Sequence, residues 1–123
     1  MPDSQRQQVW ELQYAQPTIK IFYCESRHTD YTPVLSGIEE EGIPWEISPL
    51  QAEEAAALAY AASSESRLGV GVGVGASSVA LHFEKLSEGQ PLFLLPAEAG
   101  EQQLRALGAN AARLVKKLPF KPL

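Results

Sequence analysis

The chain is poor in the residues that build covalent and metal frameworks. It has one cysteine, Cys24, and two histidines, His28 and His82, in 123 residues. A single cysteine excludes an intrachain disulfide, and no Cys/His set has the spacing of a zinc site. The histidines do not form an H-x-x-x-H pattern, and no Ser-His-Asp arrangement is recognisable. Long apolar runs are also missing; none approaches the roughly 18 residues a membrane span needs. Basic excess is lacking as well. A net charge of -5 argues against nucleic acid as the main partner. Residues 1–8 are polar, so no secretory leader is expected and the setting is read as cytoplasmic. The length excludes an actin-like or P-loop ATPase built from this chain alone, and it suits one domain.

What is present is unevenly spread. Residues 1–66 hold eleven acids against three bases, and residues 67–123 hold four acids against seven bases. No acid follows Glu101, whereas Arg105, Arg113, Lys116, Lys117 and Lys121 do. Two oppositely charged, solvated faces are the expectation. Residues 1–17, with five glutamines, read as an N-terminal arm, and residues 18–123 as a single α/β domain.

Residues 18–24 are dense in β-branched and aromatic side chains and read as a strand buried on both faces. Thr32 as N-cap and Pro33 at the first helical position start a helix, which Gly42 ends in the left-handed conformation. Residues 43–47 read as a second strand, and the alanine-rich residues 51–62 as a second helix. Residues 68–74 and 77–83 form a hairpin, and residues 91–95 a short fifth strand. Residues 100–117 form the last helix, with Leu104, Leu107, Ala111, Leu114, Val115 and Leu118 on one stripe. Two β-α-β crossovers and one tight hairpin imply a three-layer α/β/α domain. Its five-stranded sheet is mixed and mostly parallel, with one antiparallel strand.

The segment Gly71-Val72-Gly73-Val74-Gly75-Ala76 matches a dinucleotide fingerprint in letters only. The physics needs a helix directly after those glycines, and here a strand pattern follows. The period of two instead puts Val70, Val72 and Val74 on one face and a flat row of glycines on the other, for close packing within the fold. His82 falls on the polar side of its strand and reads as a surface residue. His28 lies in the loop after the first strand, often a functional edge, although a lone loop histidine is usually solvated. Cys24 reads as a small buried apolar residue.

Glu39-Glu40-Glu41 breaks a local rule. Three carboxylates fill the last turn of a helix, each disfavoured there by roughly 0.3–1 kcal/mol, with no nearby compensation in sequence. Such a cluster suits a divalent cation shared with another chain, or a partner's arginine. A solvated acidic cap is the simpler reading. On the residues alone the chain is a binding or assembly module rather than an enzyme.

Three segments together resemble a known family. They are Val34-Leu35-Ser36-Gly37-Ile38-Glu39-Glu40-Glu41-Gly42-Ile43-Pro44; Val79-Ala80-Leu81-His82-Phe83 with Pro91-Leu92-Phe93; and Gly108-Ala109-Asn110-Ala111-Ala112-Arg113-Leu114-Val115-Lys116 with Pro119-Phe120. In this order the chain is similar to the small subunit of diol and glycerol dehydratase reactivating factors, over about residues 18–121. The resemblance implies an anticodon-binding-domain-like α/β fold and a non-catalytic, chaperone-like role. The partner would be a large ATPase subunit, in a heterotetramer that carries the ATP. The small subunit, which resembles the β (medium) subunit of the adenosylcobalamin-dependent dehydratase, would exchange with it on the dehydratase large subunit and so release damaged cobalamin. The resemblance places Glu40 on a divalent metal, Mg2+ or Ca2+, at the contact with the large subunit. Glu39 and Glu41 are flanking interface residues. No cofactor is expected on this chain alone, which would self-associate in isolation, and a setting beside a bacterial microcompartment is implied. The dehydratase medium subunit itself, a stand-alone homologue acting as an assembly module, and a nucleotide-binding module on the glycine stretch are the rival readings. The Arg113-Lys116-Lys117 cluster matches the family's last helix and reads as a solvated helix end.

Overall fold

The computed structural model describes residues 16–123. The expected arm at residues 1–17 therefore lies almost wholly outside the described residues; Gln16 and Pro17 are exposed. The elements are β1 (Ile19–Cys24), α1 (Thr32–Glu40), β2 (Trp45–Leu50), α2 (Ala55–Glu65), β3 (Val70–Val74), β4 (Ser78–Phe83), β5 (Phe93–Pro96) and α3 (Glu101–Lys116), with one 3-10 turn at Ala97–Ala99. The sheet order is β2-β1-β3-β4-β5. β1 pairs in parallel with β2 and β3, whereas β4 runs antiparallel to both of its neighbours. The mixed sheet with one antiparallel strand is the architecture the sequence predicts.

The sheet has two unlike faces. On one, Ile19 and Ile21 of β1, Val70, Val72 and Val74 of β3, and Val79 and Leu81 of β4 form a core with Val34 and Ile38 of α1 and with Leu104, Leu107 and Ala111 of α3. Burying such side chains supplies about 25 cal/mol per Å2 of apolar area removed from water. On the other face lie Phe22 and Cys24 of β1, the glycines of β3 and Ala80 of β4, covered by α2. Here the sheet and helix meet nearly backbone to backbone. A Cβ at Gly71 would lie within 3 Å of Ser63 N and Ala59 O, and one at Gly73 within 3 Å of Ala55 O and Ala59 N. The glycine row is filled by an alanine-rich helix, and β3 runs into a hairpin. No helix N-terminus follows it to receive a pyrophosphate.

Several boundaries move. The N-cap position of α1 is Tyr31, with Thr32 the first helical residue, not the cap. The Thr32 amide donates to Asp30 Oδ1 at 3.0 Å, and this backbone hydrogen bond holds the Asp30 carboxyl below its ordinary range. Gly42 takes φ +79° just after α1, as expected. α2 begins four residues later than its alanine content suggests, because the Glu53 carbonyl accepts the Ala76 amide at 3.1 Å and keeps the lead-in extended. β2 starts at Trp45 and runs to Leu50 with Pro49 inside it, which an edge strand tolerates. β5, the opposite edge, ends on Pro96. α3 closes on Lys117 in the left-handed conformation at φ 59°, and the Leu118 amide reaches back to Arg113 O at 2.9 Å. Leu118 thus leaves the apolar stripe and is 46% exposed.

Candidate functional site

α1 and α3 cross at paired glycines. A Cβ at Gly37 would collide with the α3 backbone at Arg105 O and Ala109 N, and a Cβ at Gly108 would collide with the α1 backbone at Val34 O. This close approach brings the acidic end of α1 against the basic face of α3. Glu40 and Glu41 follow Gly37 by three and four residues, so they share its face. Arg105 makes an ion pair with Glu40. Arg113 Nε donates to Glu41 Oε2 at 3.3 Å, and Lys116 Nζ donates to Glu41 Oε1 at 2.8 Å. Lys116 Nζ also donates to the main-chain carbonyl of Glu41 at 2.8 Å. Glu39 faces the other way and accepts the Trp45 indole N–H at 3.2 Å.

The helix-end anomaly in the sequence is thereby resolved inside the chain. Two of the acids, Glu40 and Glu41, meet three bases, Arg105, Arg113 and Lys116, that lie 65 to 75 residues away. The Lys116 hydrogen bond, opposed by partial burial and aided by Arg113, holds the Glu41 carboxyl below its usual 4.5. Arg113 and Lys116 are accordingly paired with Glu41 rather than free at the helix end, although Lys116 stays exposed. Lys117 is exposed.

The three glutamates differ in what they can offer outward. The Glu41 side chain is only 13% exposed and accepts from two cations. Glu39 is exposed and holds the indole. Glu40 and its partner Arg105 are half-exposed, at 38% and 52%. Among the described residues, no three His, Cys, Asp or Glu side chains converge on a metal position. A divalent cation at Glu40 would therefore draw one carboxylate from this chain, displacing the Arg105 guanidinium, and its remaining ligands from elsewhere.

His82 is fully buried, which corrects the surface reading. The period of two assigned its face properly, but α2 covers that face. The Tyr60 ring packs edge-on against the imidazole at 5.2 Å. Nε2 lies 3.0 Å from Glu88 O, and Nδ1 lies 3.0 Å from the Phe83 amide nitrogen and 3.1 Å from Phe83 O. His28 is exposed; it stacks on Tyr31 with ring centroids at 5.4 Å and meets Tyr23 edge-on at 4.9 Å. Cys24 is buried, as expected.

Two residues gain a role that the sequence reading did not give them. Arg105 is the counter-charge of Glu40. Asn110, fully buried in α3, grips the chain beyond the helix. Its Nδ2 donates to Lys121 O at 2.9 Å and its Oδ1 accepts the Lys121 amide at 2.6 Å. The available signal was a lone amide among Leu107, Ala111 and Leu114, in a stripe otherwise apolar. Arg113 Nη1 adds a bond to Pro119 O at 3.0 Å, and Phe120 packs edge-on to Phe93 at 5.2 Å.

The family model described as dehydratase medium subunit matches residues 16–121. The propanediol dehydratase-reactivating factor small subunit of Citrobacter freundii is 36% identical over 105 residues, which are 85% of this chain and 90% of that protein. The diol dehydratase-reactivating factor small subunit of Klebsiella michiganensis is 36% identical over 110 residues, 89% of this chain and 88% of that one. Among solved structures, a chain of the diol dehydratase-reactivating factor complexed with ADP and Mg2+ superposes with TM-score 0.80 at 36% identity, covering 88% of this chain and all of that one. A chain of a glycerol dehydratase reactivase gives 0.78 at 34% identity, covering 86% and 97%.

Proposed function

The chain belongs to the dehydratase medium subunit family, and from that premise we propose that it is the small subunit of a dehydratase-reactivating factor. The observation that carries this reading is the superposition of 88% of this chain on the whole of a chain of a reactivating-factor complex, at TM-score 0.80 and 36% identity. In this reading the chain performs no chemistry. It binds a large ATPase subunit in a heterotetramer and exchanges with the medium subunit of the adenosylcobalamin-dependent dehydratase, so that damaged cobalamin leaves. A family likeness to the medium subunit is what such an exchange requires. The expected setting is cytoplasmic, beside a bacterial microcompartment, and no helix among the described residues is long and apolar enough to cross a membrane.

Glu40 is the residue of the acidic helix end suited to the contact, because Glu41 is saturated by Arg113 and Lys116 and Glu39 holds Trp45. When a Mg2+ or Ca2+ ion bridges the subunits, it supplies charge neutralisation between Glu40 and the large subunit. This chain's part is to present one carboxylate on a helix end fixed by the glycine crossing. Mixing the purified chain with its cognate large subunit tests the reading. A complex that forms with Mg2+ and weakens with EDTA or with Glu40→Ala is expected, and two chains that never associate would refute the assignment.

The description of the matching family favours a second reading, the dehydratase medium subunit itself. It predicts diol turnover and cobalamin binding by a dehydratase reconstituted with this chain. The names of the relatives that cover nine-tenths of their own length favour the first.

A further inference from the structure

Of the ion pairs at the helix crossing, Glu40–Arg105 is the one held loosely. The Glu41 side chain is 13% exposed and takes two cations. Glu40 and Arg105 are half-exposed, and each is the other's only ion-pair partner among the described residues. The contact is one nitrogen on one oxygen, Arg105 Nη2 donating to Glu40 Oε1. An exposed pair of this kind is weak, so a change of partner costs little.

Arg105 has a second carboxylate within reach on its own helix. Glu101 opens α3 and stands one turn before Arg105. Residues four apart on a helix are neighbours, and glutamate ahead of the base is the favourable order. Glu101 is exposed and makes no ion pair among the described residues. The two carboxylates differ in what they need. Glu101 lies in the first turn of α3, where the positive end of the helix dipole already stabilises it. Glu40 is the last residue of α1, at the negative end, and has no cation but Arg105. In the free chain the guanidinium therefore sits on Glu40.

We propose that Arg105 is a built-in substitute for the divalent cation on Glu40, holding the carboxylate in the free chain and moving to Glu101 when a cation takes its place. A doubly charged ion on Glu40 repels the guanidinium beside it, and Glu101 receives it one turn back along α3. Glu40 and Arg105 are each compensated in both states. The free chain carries no bare acid at the end of α1, and the loaded chain carries no guanidinium crowded against a metal ion. The exchange also makes the contact adjustable. The cation has to displace Arg105, so a higher cation concentration is needed for association, and Arg105 reclaims Glu40 when the concentration falls. The inference rests on the reading of Glu40 as a carboxylate that shares a cation with the large subunit, and it adds what Arg105 and Glu101 do there.

The test is surface plasmon resonance of the full chain over immobilised cognate large subunit, read as the Mg2+ concentration that gives half-maximal association. Arg105→Gln removes the competitor and is expected to lower that concentration about two- to sixfold, the factor by which a weak exposed pair competes. Glu101→Gln removes the receiving carboxylate and is expected to raise it about twofold. Adding Glu101→Gln to Arg105→Gln is expected to change nothing further. An equal rise in that background would mean that Glu101 acts on the cation directly, and would overturn the exchange. Thermal melts check that each variant is folded, and Arg105→Met, which keeps an unbranched stem, replaces Arg105→Gln if that variant does not fold. An unchanged or raised Mg2+ requirement in the folded Arg105 variant overturns the inference and leaves the assignment standing, as does wild-type association that ignores Mg2+. No association by the wild-type chain at any Mg2+ concentration overturns both.

Discussion

Lys116 closes a helix to which it does not belong. Its ammonium donates at 2.8 Å to the Glu41 main-chain carbonyl, at the C-terminal end of α1, and at 2.8 Å to the Glu41 carboxylate. One cation thus meets both the negative end of the helix dipole and the acid that burdens it. The contact joins the first and the last of the three segments that the family resemblance picks out. What reads as two separate motifs is one assembly, with Gly37 and Gly108 setting the distance and Glu40, Glu41, Arg105, Arg113 and Lys116 filling it.

Glu41→Gln should lower stability at pH 7 by about 1.5–3 kcal/mol, the usual range for hydrogen bonds to charged groups. The pH dependence has a defined sign. The folded carboxyl titrates below its ordinary 4.5, so its contribution is complete above that value and fades as pH falls through the lower folded value. Urea melts of wild type and variant should differ at pH 7 and converge in that acid range. A gap that widened on acidification would contradict the ion-pair geometry.

Asn110→Ala removes the grip on Lys121. The cost should be about 1–3 kcal/mol, from a lost pair of hydrogen bonds and a small cavity. Hydrogen exchange is the sharper measurement. The Lys121 amide should lose its protection in the variant, while amides of β1 and β3 keep theirs at the level of the reduced global stability. Equal protection at Lys121 in both proteins would show that something else holds the segment.

Gly73→Ala drives a methyl group into the α2 backbone at Ala55 and Ala59. Neither neighbour is a flexible side-chain end, so the helix must shift, at a cost of about 3 kcal/mol or failure to fold. Gly89→Ala is the control, because nothing lies within 4 Å of a Cβ there. Thermal melts of the pair should separate widely, with the control near wild type.

Lys117→Gly should stabilise. Lysine holds a left-handed conformation at φ 59° that glycine adopts without penalty. A gain of about 0.5–1 kcal/mol is expected. A loss would mean that the lysine side chain contributes a contact worth more than the strain.

The sequence predicted the sheet well, because local pattern carries it. The β-branched run of β1, the Gly/Val alternation of β3 and the alternation of β4 each record a strand and its two faces. Pattern does not say which faces will be covered. His82 was placed on the right side of β4 and still misjudged, since its burial depends on α2, a helix about twenty residues upstream. The acidic end of α1 was legible as an anomaly, but its resolution was not. Periodicity is blind to partners 65 to 75 residues away. The start of α2 was set by a carbonyl of Glu53 bonded across to Ala76, a tertiary contact that overrides alanine's preference for helix.

Proline stands in both border strands of the sheet, Pro49 in β2 and Pro96 at the end of β5. Each removes an amide donor from the rim, so neither rim offers an unbroken ladder to a strand from another molecule. Growth by strand addition, the common route from a small α/β chain to a fibre, is obstructed at both ends. Contacts with other molecules are thereby steered to side chains, where they can be broken one by one.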